Sequence, residues 1–414
     1  MSESIQPTAE SLVGELVQVE VGAVAHGGFC IARHDGRAVF VRHSLPGEEV
    51  IARITEGHQN SRFLRADAVE VVRASPDRVE AVCAAAGPGG CGGCDWQHAS
   101  LPAQRTLKAA VIREQLQRLA GVDWPVVVEE IADPPQGLNW RTRVRFAVDE
   151  QGRLGLRRHR SHEVIALQEC PIAHPDIAHS GVLTMQWPDA ESVVAATSST
   201  SAGESSNVSV IAEYPGGEQH LVMGTGECTH HAAGRVWLTS ADGFWQVHPG
   251  AADALAAAVV EAADVQVGDV VWDLYAGAGL FAGALAGLAT SVLAVESDAG
   301  ACADARGNLT DLGNVRVEHA RVDRWVRFAI AEESTAQRPD IVVVDPPRKG
   351  AGKSVVQALM KAGPRRVIYV ACDPATLARD IALFAEGGYA LSRLRAFDLF
   401  PMTHHVECVA VLAR

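Results

Sequence analysis

No apolar run in this 414-residue chain approaches the ~18–20 residues a helix needs to cross a bilayer, which sets aside a helical membrane protein. The first twenty residues have neither the basic start nor the apolar stretch of a secretory leader and carry four glutamates instead. A soluble, cytoplasmic protein acting as a monomer, with no membrane partner, is expected. A basic excess is missing as well: the net charge of −14 argues against a protein that coats nucleic acid non-specifically. The acid excess is concentrated after residue 182, so local basic stripes remain open to the first half. A disulfide framework is also not indicated, because the nine cysteines are odd in number and three of them, Cys83, Cys91 and Cys94, crowd together. In a cytosolic chain such clustering points to metal or catalysis.

The length exceeds one ordinary core, and two or three domains are expected. Residues 12–72 read as short alternating strands broken by glycine turns, the pattern of a small antiparallel β-barrel. The order HGGF, DGRAVFV, LPGEEV resembles the TRAM domain, an OB-like module of RNA-modifying enzymes. Phe29, Phe40 and Phe63 are either barrel core or rings on which bases stack.

The run CAAAGPGGCGGC spaces its cysteines C-x7-C-x2-C, with glycines that let the backbone fold tightly around a metal. Cys170, before a proline, is the best fourth ligand, and four thiolates suit zinc or an iron–sulfur cluster alike. A redox pair of Cys91 and Cys94 is the weakest reading, since no βαβ pattern follows. Leu101–Ala120 has helical periodicity and stops at Gly121. Between Arg141 and Glu163 stand seven arginines and three acids without a lysine. Alternation puts Arg141, Arg143 and Arg145 on one face of a strand, where guanidinium forks suit RNA phosphates. Residues 190–206, rich in Ser, Thr and Ala, read as a flexible surface loop without chemistry.

From Val270 strands and helices alternate regularly, a doubly wound α/β pattern. Gly277 and Gly279 mark the first strand-to-helix turn, and Glu296, ending the next strand, is suited to two ribose hydroxyls. GAGLFA fits the nicotinamide dinucleotide fingerprint formally, but Asp273 so close to the glycines opposes a pyrophosphate. With Asp345 ending a later strand in DPPRKG, the layout is that of a Rossmann-type S-adenosylmethionine-dependent methyltransferase. In VIYVACDPATLARD, Cys372 stands at a strand end just before a helix N-terminus, which favours the thiolate. Taken alone, the cysteine is more often a small buried hydrophobe.

The set FWQ at 244–246, DLYAGAG, AVES, DPPRKG, ACDPATLARD and HHVE resembles the RNA 5-methyluridine methyltransferase family, whose members often carry a TRAM domain and a four-cysteine [4Fe–4S] site. The resemblance implies transfer of a methyl group from S-adenosylmethionine to carbon 5 of a uridine in rRNA or tRNA. It implies Cys372 as nucleophile, Glu407 as base, and Gln246, Tyr275, Glu296, Asp323 and Asp345 at the cofactor. It also places a [4Fe–4S] cluster, ahead of zinc, on Cys83, Cys91, Cys94 and Cys170. Leu280 departs from the pattern, standing where several relatives have asparagine, and Arg379 is given no role. The implied organisation is a TRAM/OB-like RNA-binding barrel over 10–73, a mostly β iron–sulfur and RNA-binding domain over 74–240, and an α/β methyltransferase domain over 241–414. Two alternatives compete. One is an amino-group RNA methyltransferase; the other is a non-enzymatic iron–sulfur RNA-binding or redox-sensing protein.

Overall fold

A computed structural model describes residues 10–131, 134–198, 208–331 and 337–414. The chain packs as two compact units. One holds the chain through Leu107 together with Arg157–Ile165 and Met402–His404; the other holds Lys108–Leu156, Ala166–Pro401 and His405–Arg414.

In the first unit, β1 (Leu16–Ala25), β2 (Phe29–His34), β3 (Arg37–Arg42), β4 (Glu49–Glu56) and β5 (Phe63–Arg73) close a barrel in the order β1-β2-β3-β5-β4. Alternation decides which side chains fill it: Val39, Val41, Val50, Ala52 and Leu64 point inward and are almost fully buried. The β2–β3 hairpin turns on Asp35 and Gly36, both at positive φ (48° and 77°), the two-residue geometry that an Asp-Gly pair allows. Closure leaves no free strand edge.

Helix α1 (Leu101–Gln115) continues into a wider turn, Leu116–Ala120, and stops at Gly121 with φ 65°, as the sequence indicated. Next along the chain come β6 (Val128–Glu130), β7 (Arg143–Val148), β8 (Leu154–Arg157), β9 (Val164–Ala166), the short α2 (Pro175–His179), β10 (Ser192–Ala196), β11 (Ser209–Glu213) and β12 (Gln219–Met223); all lie in the second unit except Arg157, Val164 and Ile165. Strands β12, β11, β10, β7 and β8 neighbour one another in that order. Here the expected 190–206 loop is corrected. Its residues 192–196 form β10, pairing with β7 and β11 and burying Val193, Val194 and Ala195. The apolar run Val193–Ala196 outweighs the Ser/Thr composition around it; residues 199–206 lie outside the described ones. A two-stranded ribbon, β13 (Glu227–Ala232) and β14 (Arg235–Ser240), follows.

The remaining elements alternate: α3 (Ala251–Ala263), β15 (Val270–Leu274), α4 (Leu280–Ala286), β16 (Ser291–Glu296), α5 (Ala299–Asn308), β17 (Val315–His319), α6 (Val322–Ala329), β18 (Ile341–Val344), α7 (Gly352–Ala362), β19 (Arg366–Ala371), α8 (Pro374–Ala385), β20 (Ala390–Asp398) and β21 (Glu407–Ala413). They build an eight-stranded sheet in the order β17-β16-β15-β18-β19-β21-β20-β6. Five strands from β17 to β19 run parallel, and β21 is antiparallel to both β19 and β20. Apolar residues line both faces: Val271, Val343 and Ile368 pack with α3 and α4, whereas Trp272, Leu274, Val342 and Tyr369 pack with α7 and α8. Burial on both sides is why these strands read as continuous β-branched runs. Strand order reverses direction around β15 and β18, and the crevice at their C-terminal ends is where such a sheet binds ligands.

Candidate active site

The parallel strands deliver their last residues to one edge. After β15, Tyr275 takes φ 64°, unusual for a bulky residue, and the N–H groups of Tyr275 and Ala276 both donate to Val295 O, at 2.9 and 3.2 Å. Backbone in this region is strained and tends to mark a functional turn. Gly277 (φ 55°) faces open space where a side chain would stand, and Gly279 (φ 93°) is packed so closely that a Cβ would fall 2.6 Å from Leu309. Both glycines are therefore required, the first for ligand approach and the second for packing against α5.

Glu296 accepts from the backbone N–H of Gly277 at 3.0 Å and from that of Asp298 at 2.8 Å, which fixes its carboxylate at the end of β16. Asp273 Oδ2 accepts from Ala282 N–H at 2.8 Å, while Oδ1 is buried with no hydrogen-bond partner. Burial, with Glu296 adding to it, pushes the Asp273 carboxyl up to about 7. Asp345, ending β18, is also pushed up to about 7, first by burial and then by Asp273 and Glu296. Three carboxylates thus repel one another at one sheet edge, around a glycine turn that leaves room for a ligand. The set fits a cationic nucleoside: Glu296 offers acceptors to hydroxyls, and the orphaned Asp273 oxygen offers one to a positive centre.

Tyr275 lies in the same field, its phenol pushed up to about 12 by burial and then by Asp323, Asp380 and Glu296. Asp323 itself is held below the usual carboxylate range by Arg321, whose guanidinium donates to both its oxygens at 3.1 and 3.2 Å. Gln246 is buried in the loop between β14 and α3. Arg143 pins that loop by donating Nη1 to Asp242 O and Gly243 O at 2.9 and 2.6 Å, and Thr142 N–H donates to Val247 O at 2.8 Å. The expected phosphate-facing arginine stripe is therefore corrected. Arg143 is turned inward to carbonyls, Arg145 pairs with Glu213, and Arg141 Nε donates to Arg143 O at 3.2 Å.

Cys372 follows β19, and α8 begins behind it with Asp373 as cap, accepting from Thr376 N–H at 2.8 Å. The antiparallel β19–β21 pair ends at Ala371 and Cys408, so Cys372 and Glu407, the next residue on each strand, stand at that end, where the Glu407 carboxylate acts on the thiol. The thiol is not a preformed thiolate, which corrects the sequence expectation. Burial, then Glu407 and Asp345, push Cys372 up to about 12, and the opposing Arg348 does not reverse it. Glu407, almost fully buried, is raised well above the carboxylate range by burial and then Asp345, against Arg348. Arg348 Nη2 lies 3.4 Å from His405 Nε2.

Sequence reasoning missed how the DPPRKG turn is held. Fully buried Asp380 accepts from Tyr369 Oη at 2.6 Å, from Ala351 N–H at 2.9 Å and from Gly352 N–H at 3.2 Å. Arg379 binds Asp380 Oδ1 through Nε and Nη2, at 2.9 and 2.8 Å, and donates Nη2 to Lys349 O at 2.9 Å. The signal was present: Asp380 falls on the apolar face of α8 with Leu377 and Phe384, where a lone carboxylate needs partners. A second support is buried Lys108, whose Nζ donates to Asp398 Oδ1 at 2.5 Å and Phe400 O at 3.0 Å. Asp398 stands one residue past Phe397, the cross-strand partner of Glu407.

Cys83 N–H donates to Gln97 Oε1 at 2.9 Å and Gly93 N–H to Cys91 Sγ at 3.3 Å, and Cys94 shares their loop. Among the described residues, no group of three or more His, Cys, Asp or Glu side chains is placed to hold a metal ion.

A parallel sheet extended by an antiparallel β21–β20 hairpin, with carboxylates at the ends of β15, β16 and β18, defines a Rossmann-type methyltransferase. The sequence model of tRNA (Uracil-5-)-methyltransferase matches residues 236–414, and that of the TRAM domain matches residues 10–69. The chain is 49% identical to an RNA methyltransferase of Streptomyces avermitilis, itself uncharacterized, over 97% of this chain and 98% of that protein. It is 37% identical to an uncharacterized RNA methyltransferase of Corynebacterium efficiens, over 99% and 97%. Its fold is similar to that of the Pyrococcus abyssi tRNA (uracil-54, C5)-methyltransferase, solved in complex with S-adenosyl-L-homocysteine, with a TM-score of 0.68 at 22% identity over 95% of this chain and 99% of that one. The chain belongs to the family of RNA methyltransferases that these relatives represent. That membership gives the non-enzymatic alternative no support.

Proposed function

We propose that this chain methylates carbon 5 of a uridine in rRNA or tRNA, using S-adenosylmethionine and a covalent adduct between Cys372 and carbon 6 of the base. The observation that supports this reading is the end of the β19–β21 pair, just past Ala371 and Cys408, where Glu407 and Asp345 both act on the Cys372 thiol. When bound, S-adenosylmethionine supplies an electrophilic methyl group on a sulfonium cation. Glu296 and Gln246 are the residues to hold its nucleoside, with Asp273 and Asp345 facing the positive centre; Tyr275 and Asp323 border the same space.

Carbon 5 of uracil is too weak a nucleophile on its own, and addition of a thiolate to carbon 6 makes it enolate-like. Cys372 is held as a thiol at about 12, so its thiolate forms most readily when its carboxylate neighbours are protonated. The raised values of Glu407 and Asp345 favour that protonation; the thiol proton and then the Glu407 proton pass to solvent water before elimination, which leaves Glu407 as carboxylate. After methylation, Glu407 as carboxylate takes the proton from carbon 5, the carbon–sulfur bond breaks, and the thiolate is returned. Arg348, opposing both carboxylates in the field at Cys372, stabilises the negative charge as it moves between these groups.

We keep the functional division into a barrel (10–73), a central part (74–240) and a methyltransferase part (241–414), in a cytoplasmic monomer. The [4Fe–4S] site on Cys83, Cys91, Cys94 and Cys170 is retained as a proposal from spacing and resemblance; anaerobic preparations should absorb at roughly 400 nm, and a colourless protein with one zinc would remove it. The function is tested by deleting the gene and mapping uridine modification in total RNA. Loss of one 5-methyluridine, restored by the wild-type chain and not by Cys372→Ala, is expected. An unchanged 5-methyluridine map would overturn the assignment.

A further inference from the structure

Arg348 is an exposed residue whose charge is needed further in. Burial raises both the Cys372 thiol and the Glu407 carboxyl, and Arg348 pulls each of them back. The backbone of its turn is fixed by other groups: Thr376 Oγ1 donates to Arg348 O at 3.2 Å, and Arg379 Nη2 donates to Lys349 O at 2.9 Å. Neither contact restrains the guanidinium. An arginine free at its tip spreads over many rotamers, and its attraction for a nearby thiolate falls as it swings into water. The Arg348 guanidinium meets a stop instead, His405, whose Nε2 lies 3.4 Å from Arg348 Nη2.

A guanidinium donates and never accepts, so this contact requires a neutral imidazole with Nε2 bare and the proton on Nδ1. The ring itself is braced. His405 packs edge to face on Phe400 at 6.1 Å between centroids, Phe400 packs the same way on Trp140 at 6.0 Å, and Trp140 stacks on His248 at 6.1 Å and 21°. Trp140 and His248 are almost fully buried, and His248 follows Gln246 by two residues. Lys108 holds the Phe400 carbonyl as well, at 3.0 Å. A column of rings thus runs from the Gln246 loop to one acceptor nitrogen, and locked packing of this kind is what keeps a supporting side chain in a single geometry. Core packing accounts for the rings as far as Phe400. It does not account for the nitrogen at the end, since a phenyl ring would fill the same space.

We propose that His405 is a positioning residue that holds the Arg348 guanidinium beside Cys372 and Glu407, with the ring column from His248 as its brace. Its effect on the reaction is exerted through Arg348. The inference rests on the reading of Cys372 and Glu407 as the reacting pair, and its first readout needs no RNA.

The test follows iodoacetamide alkylation of the Cys372 peptide in the full chain by mass spectrometry at mildly alkaline pH, where the rate reports the thiolate. His405→Phe keeps a ring against Phe400 and removes the acceptor, and it should slow alkylation roughly tenfold, the loss expected when one nearby positive charge leaves. His405→Gln returns an acceptor oxygen and should recover most of the rate. Arg348→Gln should be as slow as His405→Phe, and combining the two should slow the reaction no further. In single-turnover assays with RNA from a gene-deletion strain, His405→Phe should form the Cys372 adduct roughly 10²-fold more slowly, with unchanged affinity for S-adenosyl-L-homocysteine. Where the phenyl ring unfolds the chain, His405→Leu takes its place. The proposal is overturned if His405→Phe alkylates like wild type, if His405→Gln is as slow as His405→Phe, or if the double variant is slower than Arg348→Gln. The expected alkylation pattern with no adduct to RNA in wild type would remove the uracil reading and leave the positioning role standing, so the two failures are separable.

Discussion

The sheet edge and the outer face of the barrel handle unfavourable groups in opposite ways. At the edge, Asp273 and Glu407 are buried and Asp345 and Cys372 half-buried, and each is pushed toward its neutral form by burial and by neighbouring carboxylates. On the barrel, Phe63 and its neighbours are left in water, relieved only by an arginine among them. The edge places its strain in protonation states, so it is tuned for making and breaking bonds. The barrel places its strain in solvation, so it is tuned for contact. Variants at the edge should therefore alter turnover and pH dependence, and variants on the barrel should alter affinity.

The largest effect is expected at Glu407. Glu407→Gln should lower turnover roughly 10²–10⁴-fold, the usual range for loss of a general base, in single-turnover assays with matched RNA. Equal loss of adduct formation and of product would show that Glu407 acts before the elimination step. Next is the buried pair beside it. Lys108→Met leaves Asp398 as an uncompensated buried charge and should lower stability by roughly 3–5 kcal/mol in urea melts, with Lys108→Met/Asp398→Leu recovering most of the loss. No recovery in the double variant would mean that packing of the lysine stem matters more than the ion pair.

The smallest effect concerns pH. Asp345 titrates near 7 in the folded chain, above the ~3.9 of an unfolded aspartate. The folded state then binds the proton more tightly, so its contribution to stability is present below about pH 4 and is lost as pH rises through about 7. Melts of wild type and Asp345→Asn between pH 5 and pH 8 should diverge by roughly 2 kcal/mol, with wild type losing the more. Parallel curves would show that the carboxylate is not buried as described.

Much of this was readable in the chain. The β-branched runs before DLYAG, AVES, DPPRKG and ACDP specify strands buried on both faces, and the Gly, Asp and Pro after them specify the edge. The barrel followed from alternation, but the expected antiparallel pattern missed that β3 and β5 pair in parallel. What stayed hidden depended on distant partners. A helix start argued for a thiolate at Cys372, but burial and two carboxylates from other strands outweigh it. Strand alternation gave the side of Arg143 and not its destination, the carbonyls of Asp242 and Gly243. A polar tract concealed β10, whose four apolar residues pair on both sides. Asp380 was legible in principle, as a carboxylate on an apolar helix face.

The central claim is that Cys372 and Glu407 act in succession on one uracil. The most direct measurement incubates Glu407→Gln with S-adenosylmethionine and RNA from the gene-deletion strain, denatures the mixture and maps the attachment site by peptide mass spectrometry. The account predicts RNA bound to Cys372, carrying a base already methylated at carbon 5, and none bound in Cys372→Ala. Methylated RNA with no attachment in Glu407→Gln, or attachment at any other residue, would contradict it.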